Sequence, residues 1–223
     1  MRLLKMPEQL KVMQKEAATS NRPVPLKLIA GLGNPGSQYE RTRHNAGADW
    51  VRAIAAKFQL PLSVDSRFKG EIARGTILGV DVRLVVPTTY MNLSGEAVGA
   101  LARFFKIEPE EVLVAYDEMA FEPGIVKLRH GGGDNGHNGL KSVRGGLGSG
   151  DYHRLRIGVG HPGDKNRVTA YLTQIKQPQS EATLIHEALD WPDAWLGQVL
   201  AGDWQSAMNN IHAAQAQEKN SGI

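Results

Sequence analysis

The segment Leu26 to Gly47, LKLIAGLGNPGSQYERTRHNAG, constrains the fold more than any other stretch of the chain. Leu26, Leu28, Ile29, Ala30 and Leu32 form a short apolar run, and Gly33, Asn34, Pro35 and Gly36 halt it with four turn-forming residues in succession. From Asn45 onward, Ala46, Trp50, Val51, Ile54, Ala55 and Phe58 recur with helical spacing. A buried strand, a tight loop and an amphipathic helix in that order open an α/β unit, and open α/β sheets bind ligands outside the carboxyl ends of their strands. Asn34, Tyr39, Arg41, Arg43, His44 and Asn45 therefore arrive together at a candidate site.

Further along, Glu71 to Leu78 and Val80 to Val86 read as a hairpin turning at Gly79. The second strand runs into Pro87 and a polar loop carrying Asn92, ahead of a helix with Val98, Leu101, Ala102 and Phe105 on one face. Residues 111–116 supply another apolar run, which brings Asp117 and Glu118 to its carboxyl end. Ile125 to Arg129 reads as a strand, and the Gly131 to Gly139 loop after it has five glycines in nine residues and opens a helix near Leu140. The run Arg154 to Gly160 is a strand that sets Arg154 and Arg156 on one face by its period of two. Helical spacing returns over Glu181 to Leu189, Ala194 to Leu200 and Trp204 to His212.

Four polar deliveries at the ends of these elements define the chemistry. His44 with Asp117 makes a usable general base, because a carboxylate fixes the imidazole tautomer and stabilises the imidazolium formed when a proton is taken from water. Asn34, Asn92 and Asn138 offer neutral NH2 donors to a carbonyl and the oxyanion developing from it. With no Cys in the chain, a thiolate nucleophile, a disulfide framework and a Cys-ligated metal are all excluded, and Ser94 lacks the G-x-S-x-G context of an activated serine. Direct attack by water is the chemistry left. His44, Asp117 and His137 lack the spacing of a zinc motif, so no metal is expected, and the Gly-rich loop has neither a Walker ending nor a dinucleotide fingerprint. Lys127, Arg129, Arg154 and Arg156 either sit on solvated strand faces, or Arg129 with Arg156 clamps a phosphate through bidentate hydrogen bonds.

At 223 residues the chain suits one domain. Residues 1–25 mix polar and scattered apolar residues with Pro7, Pro23 and Pro25, and read as an extension or tag outside the core; residues 216–223 read as a polar tail. No run approaches the roughly 18 apolar residues of a membrane span, and the first 25 residues lack a secretory core, so a cytoplasmic protein without membrane association is expected. A net charge of +3 is too small to name a nucleic-acid partner.

The stretches GLGNPGSQYERTRHNAG, PTTYMNLSGEAV, VAYDE, GGGDNGHNGLKSV and YHRLRIGVGHP resemble, in order and spacing, the bacterial peptidyl-tRNA hydrolase family, over about residues 26–215. The resemblance implies a monomeric α/β domain with a twisted mixed sheet flanked by helices. It also implies hydrolysis, without a cofactor, of the ester joining a peptide to the 3′ ribose of tRNA. It makes His44 the base and Asp117 its orienting partner, with Asn34 completing the catalytic set. Tyr39, Met91, Asn92, His137 and Asn138 fall in the substrate site, and Arg129 and Arg156 on a clamp for the tRNA 5′-phosphate. One departure is Asn135, where the family form has Gly. Two rivals stand beside this reading. One is a non-catalytic RNA-binding relative, against which the intact His44, Asp117 and Asn34 argue; the other is a peptidase or amidase, which would have little use for Arg129 and Arg156.

Overall fold

Alternation along the first strand divides the protein into two cores. In β1 (Leu28–Gly31), Leu28 and Ala30 face one helical layer and Ile29 the other, and all four residues of the strand are buried. A strand buried on both faces belongs at the centre of a parallel sheet covered by helices. The computed structural model describes residues 23–221 and bears this out with a single seven-stranded sheet in the order β2-β3-β4-β1-β5-β7-β6. The remaining strands are β2 (Ser63–Asp65), β3 (Gly70–Ile77), β4 (Val80–Pro87), β5 (Val112–Glu118), β6 (Val126–His130) and β7 (His153–Gly158). The centre, β4-β1-β5-β7, is parallel, while β2, β3 and β6 pair antiparallel at the flanks. The expected mixed sheet flanked by helices is thus the observed one.

One layer holds α1 (Ala46–Lys57), α5 (Gln179–Leu189), α6 (Asp193–Ala201) and α7 (Trp204–Ser221), packed on Ile29, Leu84, Leu113 and Leu155. The other holds α2 (Ser94–Phe105) and α3 (Asn138–Leu147), packed on Leu28, Val85, Val114 and Tyr152. These two helices touch backbone to backbone. A Cβ at Gly95 would collide with the Ser142 carbonyl, and one at Gly146 with the Gly95 carbonyl, so only glycine permits the crossing. The β3–β4 hairpin turns on Leu78 and Gly79, both with positive φ, as a two-residue primed turn requires.

Several expectations are corrected. The Gly-rich loop does not leave from the edge where the parallel strands end: β6 runs antiparallel to β7, with His130 opposite His153, so the loop starts at the far edge and climbs back to α3. That helix begins at Asn138 with His137 as its N-cap, two residues ahead of the expected start. A short strand, β2, and a helix, α4 (Val168–Thr173), were not anticipated, because three and six residues are too few to show a period. Helix α7 runs to Ser221 and takes in most of the expected tail. Residues 1–22 of the expected extension lie outside the described residues. Among the described residues, no helix is long and apolar enough to cross a membrane.

The exposed edge of the sheet is closed by α7. His212 Nε2 accepts the Leu128 N–H at 3.1 Å and Gln215 Oε1 the Val126 N–H at 3.2 Å, which satisfies strand donors that would otherwise invite another chain. At the start of the same helix the Trp204 ring stacks on His153, 3.6 Å between centroids and 14° between planes. Burial, then the neighbouring His130, push the His153 pKa down to about 3. An unfolded chain protonates this ring near its ordinary value of about 6.5 and the folded one does not, so the unfolded state binds the extra proton throughout that window. Stability should therefore fall as pH drops from about 6.5 towards 3. Urea unfolding across that range should show His153→Phe flattening the decline, because it removes the titrating group and keeps a ring against Trp204.

Candidate active site

Asp117, the penultimate residue of β5, is 2% exposed. A carboxylate withdrawn from water requires donors, and two imidazoles provide them. His44 Nδ1 lies 2.8 Å from Asp117 Oδ1 and 3.0 Å from Oδ2, and His137 Nε2 lies 3.0 Å from Oδ1. Since a carboxylate only accepts, each of these nitrogens carries a proton, which assigns both tautomers from the network. His137 Nδ1, left bare, accepts the Leu140 N–H at 3.3 Å and caps α3. Both nitrogens of His137 are therefore used within the protein. His44 keeps a bare Nε2 that no protein group engages among the described residues.

The turn that carries His44 is fixed from both sides. Arg43 is buried, grips both Glu181 oxygens at 3.0 Å and lies 3.9 Å over the Tyr171 ring, so it is an anchor rather than a site cation. Asn45 accepts the Asn34 N–H at 2.8 Å and donates to the Asn34 carbonyl at 3.0 Å. Asn34 Oδ1 in turn accepts the Met91 N–H at 2.8 Å. With its oxygen so engaged, the Asn34 amide offers its NH2 group as the remaining donor. Asn45 completes this arrangement, although its type gave no sign of which neighbour it would hold.

His44, Asp117, His137 and Asn138 line a cleft of about 210 Å³ whose opposite wall is Val168, Thr169 and Leu172 of α4. Burial opposes the His44 imidazolium, but the charge of Asp117 and its hydrogen bond more than offset that, and the His44 pKa is raised above the ordinary imidazole value. For Asp117, burial pushes the other way, yet His44 and His137 together hold its carboxyl well below the usual range. A larger hollow between α1, α5 and α6, lined by Trp50, Ile54, Ile185, Trp191 and Leu196, contains none of these groups.

Of the other candidates Asn138 alone lines this cleft among the described residues, and Asn34 borders a separate hollow with Arg41, Asn45 and Thr88. Asn92 is exposed on the 3-10 turn Met91–Leu93, Asn138 is exposed at the start of α3, and Met91 is buried against the Gly139 backbone. Tyr39 meets Tyr90 edge to face at 6.2 Å, making Tyr90, half exposed, a rim aromatic that the sequence reading passed over. Asn135 has a φ of 47°, a left-handed conformation that asparagine tolerates better than most residues, so the loop keeps the geometry glycine would allow. Arg129 and Arg156 share a sheet face diagonally across the β6–β7 ladder. Arg129 is exposed, whereas Arg156 donates twice to Glu118 Oε2, at 3.1 and 3.0 Å. Arg154, expected beside it on a solvated face, is 1% exposed.

His44, Asp117 and His137 place ligand-type atoms within 4.8 Å of one another, a set zinc could use. To bind an ion there, both rings would have to release the protons that now bond the carboxylate, and α3 or the bare His44 Nε2 would have to change its role. The observed bonding suits the carboxylate and two imidazoles as they stand.

Residues 28–220 match the family model described as peptidyl-tRNA hydrolase. The peptidyl-tRNA hydrolase of Pectobacterium atrosepticum is 50% identical over 192 residues, covering 86% of this chain and 98% of its own length. That of Pectobacterium carotovorum subsp. carotovorum is 51% identical over 189 residues, covering 84% and 96%. Among solved structures, peptidyl-tRNA hydrolase from Acinetobacter baumannii superposes with a TM-score of 0.79 at 44% identity, covering 83% of this chain and 94% of that one. A complex of peptidyl-tRNA hydrolase with N-propanol gives a TM-score of 0.80 at the same identity and the same coverage.

The two opposing influences on His44 can be separated by titration. NMR of the ring should place its pKa above about 6.5, and Asp117→Asn should bring it below that value, since the charge is lost while burial remains. A His44 titration that does not move in the variant would show that Asp117 is not what raises it.

Proposed function

The chain belongs to the peptidyl-tRNA hydrolase family and hydrolyses peptidyl-tRNA, and from that premise we propose that His44 is the general base, oriented by Asp117, with Asn34 holding the oxyanion. One observation carries this reading: of the two imidazoles on Asp117, only His44 retains a bare nitrogen facing the cleft. His44 Nε2 takes a proton from water as the water oxygen bonds to the ester carbonyl carbon and the carbonyl electron pair moves onto its oxygen. The Asn34 NH2 donates to that oxyanion. Collapse of the intermediate expels the 3′ ribose oxygen, which takes the proton back from the imidazolium, leaving a free peptide acid and a free tRNA. Asp117 stabilises the imidazolium between these steps. An alkoxide leaves more readily than an amine, so a positioned water, one base and one oxyanion donor suffice for an ester.

The remaining assignments follow from position. Asn92 and Asn138, exposed at the starts of neighbouring helices, are suited to hold the carbonyls of the substrate, and Met91, buried against Gly139, backs the helix start that carries Asn138. Tyr39, backed by Tyr90, offers a ring to the end of the tRNA. His137 contributes through its hold on Asp117 and its ring face. Arg129 and Arg156 form the 5′-phosphate clamp, in which Arg156 shares its guanidinium between phosphate and Glu118. The substrate's place in translation supports a cytoplasmic location, where the chain acts as a monomer.

His44→Ala should lower turnover of peptidyl-tRNA by roughly 10²- to 10⁴-fold while the variant remains folded and binds deacylated tRNA. Near-normal turnover in the folded variant would reject His44 as the base.

The clamp is tested by kcat/KM on substrates with and without the 5′-phosphate at two salt concentrations. Arg129→Ala should weaken only the phosphorylated substrate and flatten its salt slope by roughly 1, and Arg156→Ala should do so less, because Glu118 already neutralises Arg156. Equal losses on both substrates would reject the clamp.

A further inference from the structure

Arg154 is the largest fully buried side chain in the described protein. A guanidinium placed there must find acceptors, and it finds them in consecutive residues of the Gly-rich loop: Nη1 donates to the Gly133 carbonyl at 2.7 Å and Nη2 to the Gly132 carbonyl at 2.8 Å. Arg144 of α3 adds a second donor to the Gly132 carbonyl at 2.7 Å. The Asp134 carboxylate lies 3.1 Å from Arg144 and 3.8 Å from Arg154, so the loop also supplies their counter-charge. On the other side of Gly132 packs the Arg129 side chain, so closely that a Cβ would strike its guanidinium. The base of the loop is therefore held between strand β7 and helix α3 while it climbs from the far edge of the sheet.

The grip reaches the reacting centre in two links. The Asp134 carbonyl accepts the His137 N–H at 2.8 Å, and His137 Nε2 then reaches Asp117. We propose that Arg154 is a positioning residue for hydrolysis, whose fork on Gly132 and Gly133 sets the height of the loop and thereby the contact of His137 with Asp117 and the reach of Asn138 into the cleft. This inference rests on the assignment of His44 and Asp117 made above. Arg154 touches no reacting atom; it acts through the loop. Lysine cannot replace it, because one ammonium cannot span two carbonyls with the geometry of a planar fork.

The test compares wild type, Arg154→Lys, Arg154→Met and His44→Ala on peptidyl-tRNA, with deacylated tRNA binding and the acid limb of the pH-rate profile measured alongside. A loop displaced by an ångström should lower kcat by roughly 10- to 100-fold in both Arg154 variants, with KM and tRNA binding within about twofold of wild type. Loss of the His137 donor leaves the whole Asp117 carboxylate to His44, so the acid limb should move to higher pH, a shift that general destabilisation would not produce. Wild-type kcat and an unmoved acid limb in folded Arg154 variants, beside an inactive His44→Ala, would overturn the positioning role and leave the base intact. Weakened tRNA binding with unchanged kcat would also overturn it, making Arg154 an RNA contact. Turnover surviving in His44→Ala would instead reject the assignment on which the inference rests. If Arg154→Met does not fold, Arg144→Gln takes its place; unchanged kcat in both Arg144→Gln and Arg154→Lys would overturn the proposal.

Discussion

A carboxylate buried at the end of a central strand is the constraint from which the site follows. Asp117 cannot remain ionised without donors, and backbone N–H groups of a paired strand are already committed to the sheet. The two imidazoles that satisfy it come from opposite directions, one from the turn after β1 and one from the start of α3. Their shared partner fixes both tautomers, and the cap on α3 then uses the last nitrogen of His137. What distinguishes the two rings is this extra bond. A single backbone N–H thus separates the ring whose nitrogens are both engaged from the ring that keeps one bare.

Much of this could be read from the chain because it is local. The apolar run at β1, the turn after it and the helical spacing beyond are contained in 33 residues, Leu26 to Phe58, and the buried run at β5 announces itself by composition. Asp117 and His44 were paired on chemical type and strand position, and the structure joins them at 2.8 Å. What stayed hidden depends on separation in sequence. Arg43 reads as one more polar arrival until Glu181, 138 residues away, closes on it. Arg154 alternates with Leu155 as a solvated strand cation would, and only the returning loop buries it. The direction of β6 was also invisible, since a strand of five residues looks the same in either orientation, yet it decides that the Gly-rich loop must climb the sheet rather than simply leave it.

The loop that results has an unusual division of labour. Its glycines are needed at the base, where carbonyls turn towards arginines and Arg129 lies against the Cα of Gly132. Its cleft-lining side chains lie towards the tip, where His137 and Asn138 begin a helix. Flexibility of composition is therefore no guide to flexibility in place: a segment with five glycines in nine residues is held by the buried Arg154 and by Arg144 at one end and by a helix at the other.

The crossing of α2 and α3 extends this rigidity to the turn that carries Asn92. Asn92 sits in the 3-10 turn that leads into one helix and Asn138 opens the other, and the two helices meet through Gly95 and Gly146 with no side chain between them. Two bodies in backbone contact behave as one piece, so Asn92 and Asn138 cannot separate or close independently. The cleft is set to a fixed width on that side, like the stationary jaw of a vice. Any change in its width has to come from the facing wall, where α4 packs as a single short helix.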